Sequence, residues 1–441
     1  MSVSRRFETA PCCLASRPAA AAFASLGRHS LPLAPASRHH SPRLAQSSEG
    51  EEGEAGGSSE QSALFASLRA RQEEVERRQQ RLEENWRSGR SEARIALLLD
   101  DWIRRLALDW PLAVVGTARG GIAVANLASG GVVARAEAAH PSRTDGQEAE
   151  MRLLHGDYDG GGPLAVAIHG NHIVSAGREG GARVWRLRES ESDGRQDLVS
   201  RGSIPIGALV SSIEIEKESG AMWIGSLDGT LTRWALDGSP DGRPVDHRAS
   251  LTIDAGASVL CLDVCERLGL VACGTAQGCV EREGKGGSSS LLDDEKRPGL
   301  QIFSLADGTP RGKWSPLAFN GSTESRGERC RSVAFIDANG ADSIVAGGSD
   351  GGMHVWWLNG THTGGTFDVE HALPGDCLVS GAHDGTLCVW RLFGAGEKPR
   401  VLYRLAGYKV WLGSVCTDGQ RLVSDGADNA LICHDFAFKL D

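Results

Sequence analysis

No run of apolar residues approaches the roughly 18 that a membrane-spanning helix needs, so membrane insertion is not expected. Eleven cysteines are present, yet no two stand in a CxxC pair, which excludes a zinc ribbon or a thioredoxin-type motif. Positive charge is in deficit. The 441 residues carry 47 Lys and Arg against 57 Asp and Glu, a net −10, and such a chain does not attract nucleic acid or anionic lipid. No serine elbow or phosphate-binding loop occurs. The doublet in GTARGG (116–121) is not followed by a helix and reads as a hairpin turn. Proline is sparse, at 16, and tyrosine sparser, at three.

Glycine, by contrast, is abundant: 57 residues, about 13% where about 7% is usual, which suggests many short strands joined by tight turns. Most cysteines beyond residue 260 lie inside apolar runs such as VLCLDVC (259–265) and LICHDF (431–436), and read as buried reduced thiols.

The chain divides into four parts. Residues 1–46 hold six Arg and a single acid, Glu8, with much Ser and Ala, the composition of an organelle transit peptide. A plastid address is expected, with mitochondrion or cytoplasm as alternatives. Residues 47–61 switch to Gly, Ser and Glu, a flexible linker, and processing is expected near it. Residues 62–86 contain no Gly or Pro and predict a helix. Its Leu68, Val75 and Leu82 are seven apart, a narrow stripe suited to lying on its own domain or to coiled-coil self-association.

Residues 90–441 are repetitive. Seven copies of one pattern occur: an apolar pair or triplet, small residues, a polar residue with Gly, then a second run ending near an aromatic. They begin LAVVGTARGG (112–121), HIVSAGREGG (172–181), AMWIGSLDGT (221–230), GLVACGTAQG (269–278), SIVAGGSDGG (343–352), CLVSGAHDGT (377–386) and RLVSDGADNA (421–430). Asp-Gly or a near equivalent supplies the positive φ of a two-residue turn, so each copy predicts a hairpin. The aromatic position falls at Ala125, Trp185, Trp234, Phe303, Trp356, Trp390 and His434. Further apolar runs precede most hairpins, giving four strands per repeat, the content of a propeller blade.

The set resembles the WD-repeat β-propeller family, although no copy ends in Trp-Asp. The resemblance implies an all-β, seven-bladed propeller with an N-terminal helix. It also implies a hydrogen-bonded His, Ser/Thr, Asp and Trp in each complete blade. The matching positions are His155, Ser175, Glu179 and Trp185 in blade two, with Ser380, Asp384 and Trp390 in blade six. Asp228 and Trp234, Asp350 and Trp356, and Asp428 complete the set; the Asp residues are expected to cap their own turns.

The last hairpin ends at Phe436, which leaves too few residues for an outer strand. Residues 93–99 are therefore assigned to blade seven and 104–110 to the first strand of blade one, the rival being one helix over 93–107. The spacing from Trp356 to Trp390 is only 34 residues, so blade six should be short of a strand. Two insertions, 138–163 and 281–299, are expected to crown one rim and carry recognition.

Function follows from what the pattern can do. Titratable groups are dispersed one per turn rather than gathered, so no catalytic residue, cofactor or metal is expected. His169 and His172 lack a third ligand nearby. The expected role is a non-catalytic protein–protein interaction scaffold, binding one or more proteins but not nucleic acid. The segments NWRSGR (85–90) and DDWIRRLALDW (100–110) also resemble F-box propellers, and the alternative is a substrate-recognition adaptor of a ubiquitin ligase.

Overall fold

The structure is a computed structural model. It describes residues 21–25, 57–140, 163–177, 179–189, 196–236, 249–276, 299–314, 330–338, 341–348, 353–358, 377–382, 386–391, 400–405, 414–427 and 429–438. In chain order it has β1 (Ala21–Ser25), α1 (Gly57–Ser88) and β2 (Glu92–Leu98). The first sheet is then β3 (Ile103–Asp109), β4 (Leu112–Thr117), β5 (Ile122–Asn126) and β6 (Gly131–Ala136). The second is β7 (Ala165–His169), β8 (His172–Ala176), β9 (Gly181–Glu189) and β10 (Gln196–Pro205). The third holds β11 (Val210–Ile215), β12 (Ala221–Ser226), β13 (Thr230–Ala235) and β14 (Leu251–Asp254). The fourth holds β15 (Val259–Cys265), β16 (Leu270–Thr275), β17 (Leu300–Ser304) and β18 (Pro310–Trp314). The fifth has β19 (Cys330–Ala338), β20 (Ala341–Gly348) and β21 (Met353–Leu358) alone. In the sixth, β1 joins β22 (Cys377–Ala382), β23 (Leu387–Arg391) and β24 (Arg400–Leu405). In the last, β2 joins β25 (Val415–Thr417), β26 (Arg421–Ala427) and β27 (Ala430–Asp435).

All seven expected hairpins form antiparallel pairs. The inner strands of successive sheets touch in a closed circuit, β3 to β7, β11, β15, β19, β1, β25 and back to β3, which makes the fold a β-propeller. The expectation of seven blades is corrected. Six sheets have four strands, so the propeller has six complete blades, and the fifth sheet stops at three among the described residues. The expected shortage in blade six is displaced accordingly. Its inner position is taken by β1, paired Ala21 to Ala382 through Ser25 to Leu378, so the deficit appears one sheet earlier. The cause is the short stretch from Leu358 to Cys377, which must serve both the outer strand of one sheet and the inner strand of the next.

The core lies between the sheets. Each apolar cluster joins residues of neighbouring blades, as Val174 and Ala182 of the second with Ile213 and Ile224 of the third. Both faces of the middle strands are covered, so β12, β16 and β17 are buried along their whole lengths and read as unbroken apolar runs. Close approach of the blades demands glycine: a Cβ on Gly225 would come within 2.6 Å of Val259 Cγ1 in the next blade.

Closure comes from the N-terminal side. β2 is outermost in the last sheet and pairs antiparallel with β27, Glu92 to Asp435 through Leu98 to Ala430. The rival helix over 93–107 is replaced by two strands, β2 and β3. The helix expected at 62–86 extends over Gly57–Ser88 and ends on Gly89, whose φ of +72° lets the chain turn away. Only its last turns pack. Trp86 is buried and stacks on Phe436 with ring centroids 3.6 Å apart, and its indole N–H donates to Gly419 O at 2.9 Å. Asn85 Nδ2 donates to Phe436 O at 2.9 Å, and Leu82 leans on the same cluster. Earlier in the helix, Leu64, Phe65, Leu68 and Val75 are 58%, 64%, 49% and 65% exposed.

The strand β1 lies inside the segment read as an import signal. Deleting residues 1–46 should therefore strip the edge of β22, and amide exchange at residues 378–382 should accelerate by at least about tenfold. Unchanged protection in a hydrogen–deuterium exchange comparison would show that β1 does not pair there.

Candidate functional site

The most developed side-chain network joins blades one and two. His140 follows β6 by four residues and is fully buried. Its Nε2 lies 2.7 Å from Ser175 Oγ in β8, and its Nδ1 lies 2.5 Å from Glu179 Oε1 in the β8–β9 turn. Trp185 of β9 donates its indole N–H to the same Ser175 Oγ at 2.8 Å. Donor accounting fixes the direction of the chain. Trp185 has only a proton to give, Ser175 passes its own to His140 Nε2, and the other imidazole nitrogen donates to the Glu179 carboxylate. Burial alone would raise the Glu179 pKa. The hydrogen bond from His140, with Arg183 3.4 Å away, outweighs it and holds the carboxyl below its ordinary value.

This order, acid to imidazole to hydroxyl, is also that of a hydrolytic triad. What differs is access. Ser175 and His140 are both 0% exposed, and the serine oxygen already receives the Trp185 proton, so no substrate carbonyl can reach it. The arrangement clasps two blades together.

Sequence reasoning placed His155 in this network. The structure puts His140 there, and His155 lies outside the described residues. The insertion follows the histidine instead of preceding it, so spacing counted back from β7 picks the wrong one. A pointer was available in the Ala-His-Pro step directly after the outer strand of blade one.

Ser175, Glu179 and Trp185 lie together as expected. In blade six Trp390 donates to Ser380 Oγ at 2.8 Å, while Asp384 lies outside the described residues. In blade three Ile224 occupies the serine position, and the Trp234 indole turns to Thr232 Oγ1 at 2.9 Å. Asp228 caps its own turn, accepting the Thr230 N–H at 3.0 Å and its hydroxyl at 2.7 Å. Trp356 lies in β21. Asp350 and Asp428, and the bodies of both insertions, lie outside the described residues.

Two charged constellations had no signal in the sequence. Glu216, just past β11 and 3% exposed, accepts Trp223 Nε1 at 2.7 Å and Arg233 Nε and Nη2 at 2.6 and 2.7 Å. Burial would raise its pKa; the bonds from Arg233, Ser219 and Trp223 prevail and lower it. Glu266 of the next blade accepts backbone N–H groups of Lys217, Glu218 and Ser219 from the adjoining turn, at 2.5, 3.0 and 3.3 Å. The second constellation is Glu214 and Asp263, on adjacent inner strands. Burial pushes both carboxyls up, and the Asp263 charge adds to the rise at Glu214. Asp263 is committed to its scaffold, accepting Phe335 N–H at 2.6 Å and Val264 N–H at 2.9 Å. Among the described residues, no group of three His, Cys, Asp or Glu could hold a metal ion.

No protein-family model matches the chain, and no curated protein matches it either.

Two measurements probe these contacts. Ser175→Ala should cost about 1–3 kcal/mol by stranding the Trp185 and His140 partners, read as a lower midpoint in urea. Acid should act in two windows. His434 stands at blade seven's aromatic position, and burial lowers its pKa to about 4 from 6.5. The unfolded chain therefore binds more protons between those values. This histidine alone lowers stability by about 1.4 kcal/mol per unit as pH drops from about 6.5 to about 4, while the raised carboxyls of Glu214 and Asp263 act with the opposite sign over the same range. The stability held by ionised Glu179 and Glu216, whose pKa values are depressed, is present above about 4.5 and is lost only as pH falls below it. Compared with the unchanged chain, His434→Leu should lose the His434 share of the slope between pH 6.5 and 4 in a Tm–pH profile and keep the fall below about 4.5.

Proposed function

We propose that the chain is a non-catalytic protein-interaction scaffold of the WD-repeat type. One observation carries this reading. The helix α1 is fixed to the ring at Trp86, while four large apolar side chains nearer its start, Leu64, Phe65, Leu68 and Val75, face solvent. These four side chains take no part in the apolar clusters of the ring, unlike Leu82 and Trp86 at the other end of the helix. An apolar stripe held away from the body suits a second helix, from another protein or another copy of this chain. The Ser–Trp bonds of blades two and six, with the same separation of ten residues, support the WD-type reading of the repeats. The reading includes a plastid address for residues 1–46, supported by six Arg against one acid.

Leu68→Glu combined with Val75→Glu tests the role of the helix. Circular dichroism and melting should stay unchanged, since neither side chain packs on the ring. Sedimentation velocity should show loss of any self-association, and proximity labelling from the full-length protein in photosynthetic cells should lose its strongest neighbours. A variant that keeps the same mass and the same neighbours would refute the helix as the binding element.

A further inference from the structure

Cys261 and Cys330 belong to neighbouring blades yet meet at one point. Cys261 sits in β15 and Cys330 opens β19, and these inner strands touch. The Cys261 thiol donates to Cys330 O at 3.6 Å. Between them lies Gly274 of β16. Both sulfurs are 2.5 Å from the place where a Cβ on Gly274 would sit, and are therefore no more than twice that distance apart. Each cysteine also lies at a break in strand register, Val259/Cys261 in one strand and Cys330/Ser332 in the next. Such bulges re-aim side chains.

The preceding seam is an internal control. There Gly225 plays the part of Gly274, and its absent Cβ would meet Ser212 Oγ and Val259 Cγ1, each at 2.6 Å. Ser212 is the counterpart of Cys261 and Val259 that of Cys330, by strand register. The repeat thus brings two side chains together over a glycine in both seams. Of these two, the blade four–five seam has thiols at both positions.

We propose that Cys261 and Cys330 form a reversible inter-blade disulfide, made by exchange with a low-molecular-weight disulfide of the glutathione type. The half-buried Cys261 reacts first. Its thiolate attacks one sulfur of the small disulfide, forms a mixed disulfide and expels one thiol. The Cys330 thiolate, 4% exposed and shielded from the small disulfide, then attacks Cys261 Sγ and expels the second thiol. Two cysteine thiols are oxidised and one small disulfide is reduced to two thiols, with the two cysteine protons passing to them. Bringing the sulfurs to the bonded distance of about 2.0 Å requires side-chain rotation at both residues. Cys273, on the opposite face of blade four, does not compete. It is fully buried in the layer facing blade three, where burial and the nearby Cys261 raise its pKa and keep it a thiol. The bond would staple blade four to the three-stranded fifth sheet, closing a loop over a sequence separation of 69 residues.

The test needs only the full-length protein and glutathione disulfide. Digestion without reductant, followed by mass spectrometry, should yield one major cross-link, between the peptides carrying Cys261 and Cys330. Tm should rise on the order of 5 °C, because a long loop is constrained in the unfolded chain, and dithiothreitol should reverse the rise. Cys261→Ser and Cys330→Val reproduce the residues of the preceding seam and should fold, but neither should gain the cross-link or the shift. Cys265→Ser should keep both. Glutathione remaining on Cys261 as a mixed disulfide, a dominant cross-link to Cys265 or any other cysteine, or no oxidation at all would overturn the assignment. None of these readouts involves the helix or a protein partner, so this inference and the scaffold reading stand or fall separately.

Discussion

A ring of sheets is stable only if its last sheet meets its first, because every blade depends on neighbours for both of its faces. In this chain the meeting is made by β2 lying against β27, two segments more than 300 residues apart in sequence. The pairing hides an edge that would otherwise offer free N–H and C=O groups to other chains. Trp86 stacked on Phe436, with the Asn85 and Trp86 side chains bonded to backbone carbonyls, locks the same seam from the helix side. The dry layers between blades follow from this closure. Residues such as Val174, Trp223 and Val271 lose water on all sides only because the ring returns on itself.

The polar networks play a different part from the apolar layers. Burying a Leu or Ile side chain contributes about 1.5–3 kcal/mol, and each seam has several. A net hydrogen bond contributes about 1 kcal/mol, but leaving its buried partner unsatisfied costs more. The clasp of His140, Ser175, Trp185 and Glu179 therefore selects one relative placement of blades one and two more than it supplies their adhesion. Glu266 does the same between blades three and four by holding the 217–219 turn, which Glu216 and its arginine fork brace from within blade three. On its other side, where Ala125 stands in place of Trp, blade one meets the last sheet through an apolar cluster.

Local pattern was legible and non-local pairing was not. Each hairpin could be read because its turn residues and flanking apolar runs lie within some fifteen positions, and the closing strand because the apolar run RIALLL (94–99) stands ahead of the first blade. The blade-two serine, acid and tryptophan were visible for the same reason. Their histidine was misassigned because an insertion shifts the count, and Glu216 with Arg233 had no motif to announce it. The strand β1 was beyond reach. Its five residues, Ala-Ala-Phe-Ala-Ser, gain a strand conformation only from an edge about 355 positions further along the chain. Among the described residues the sheet short of a strand is the fifth, one blade earlier than expected, since a short spacing does not show which neighbour goes without.

The anchorage of α1 has a mechanical meaning. The helix is rooted beside the joint that fastens the ring, with Gly89 as the bend between lever and strand. Traction on its free end by a bound macromolecule would be delivered to the Trp86–Phe436 stack and then to the β2–β27 ladder. Those hydrogen bonds would carry the load in shear along the strands, the direction in which many must break together. The propeller's fastening thus doubles as its tether point.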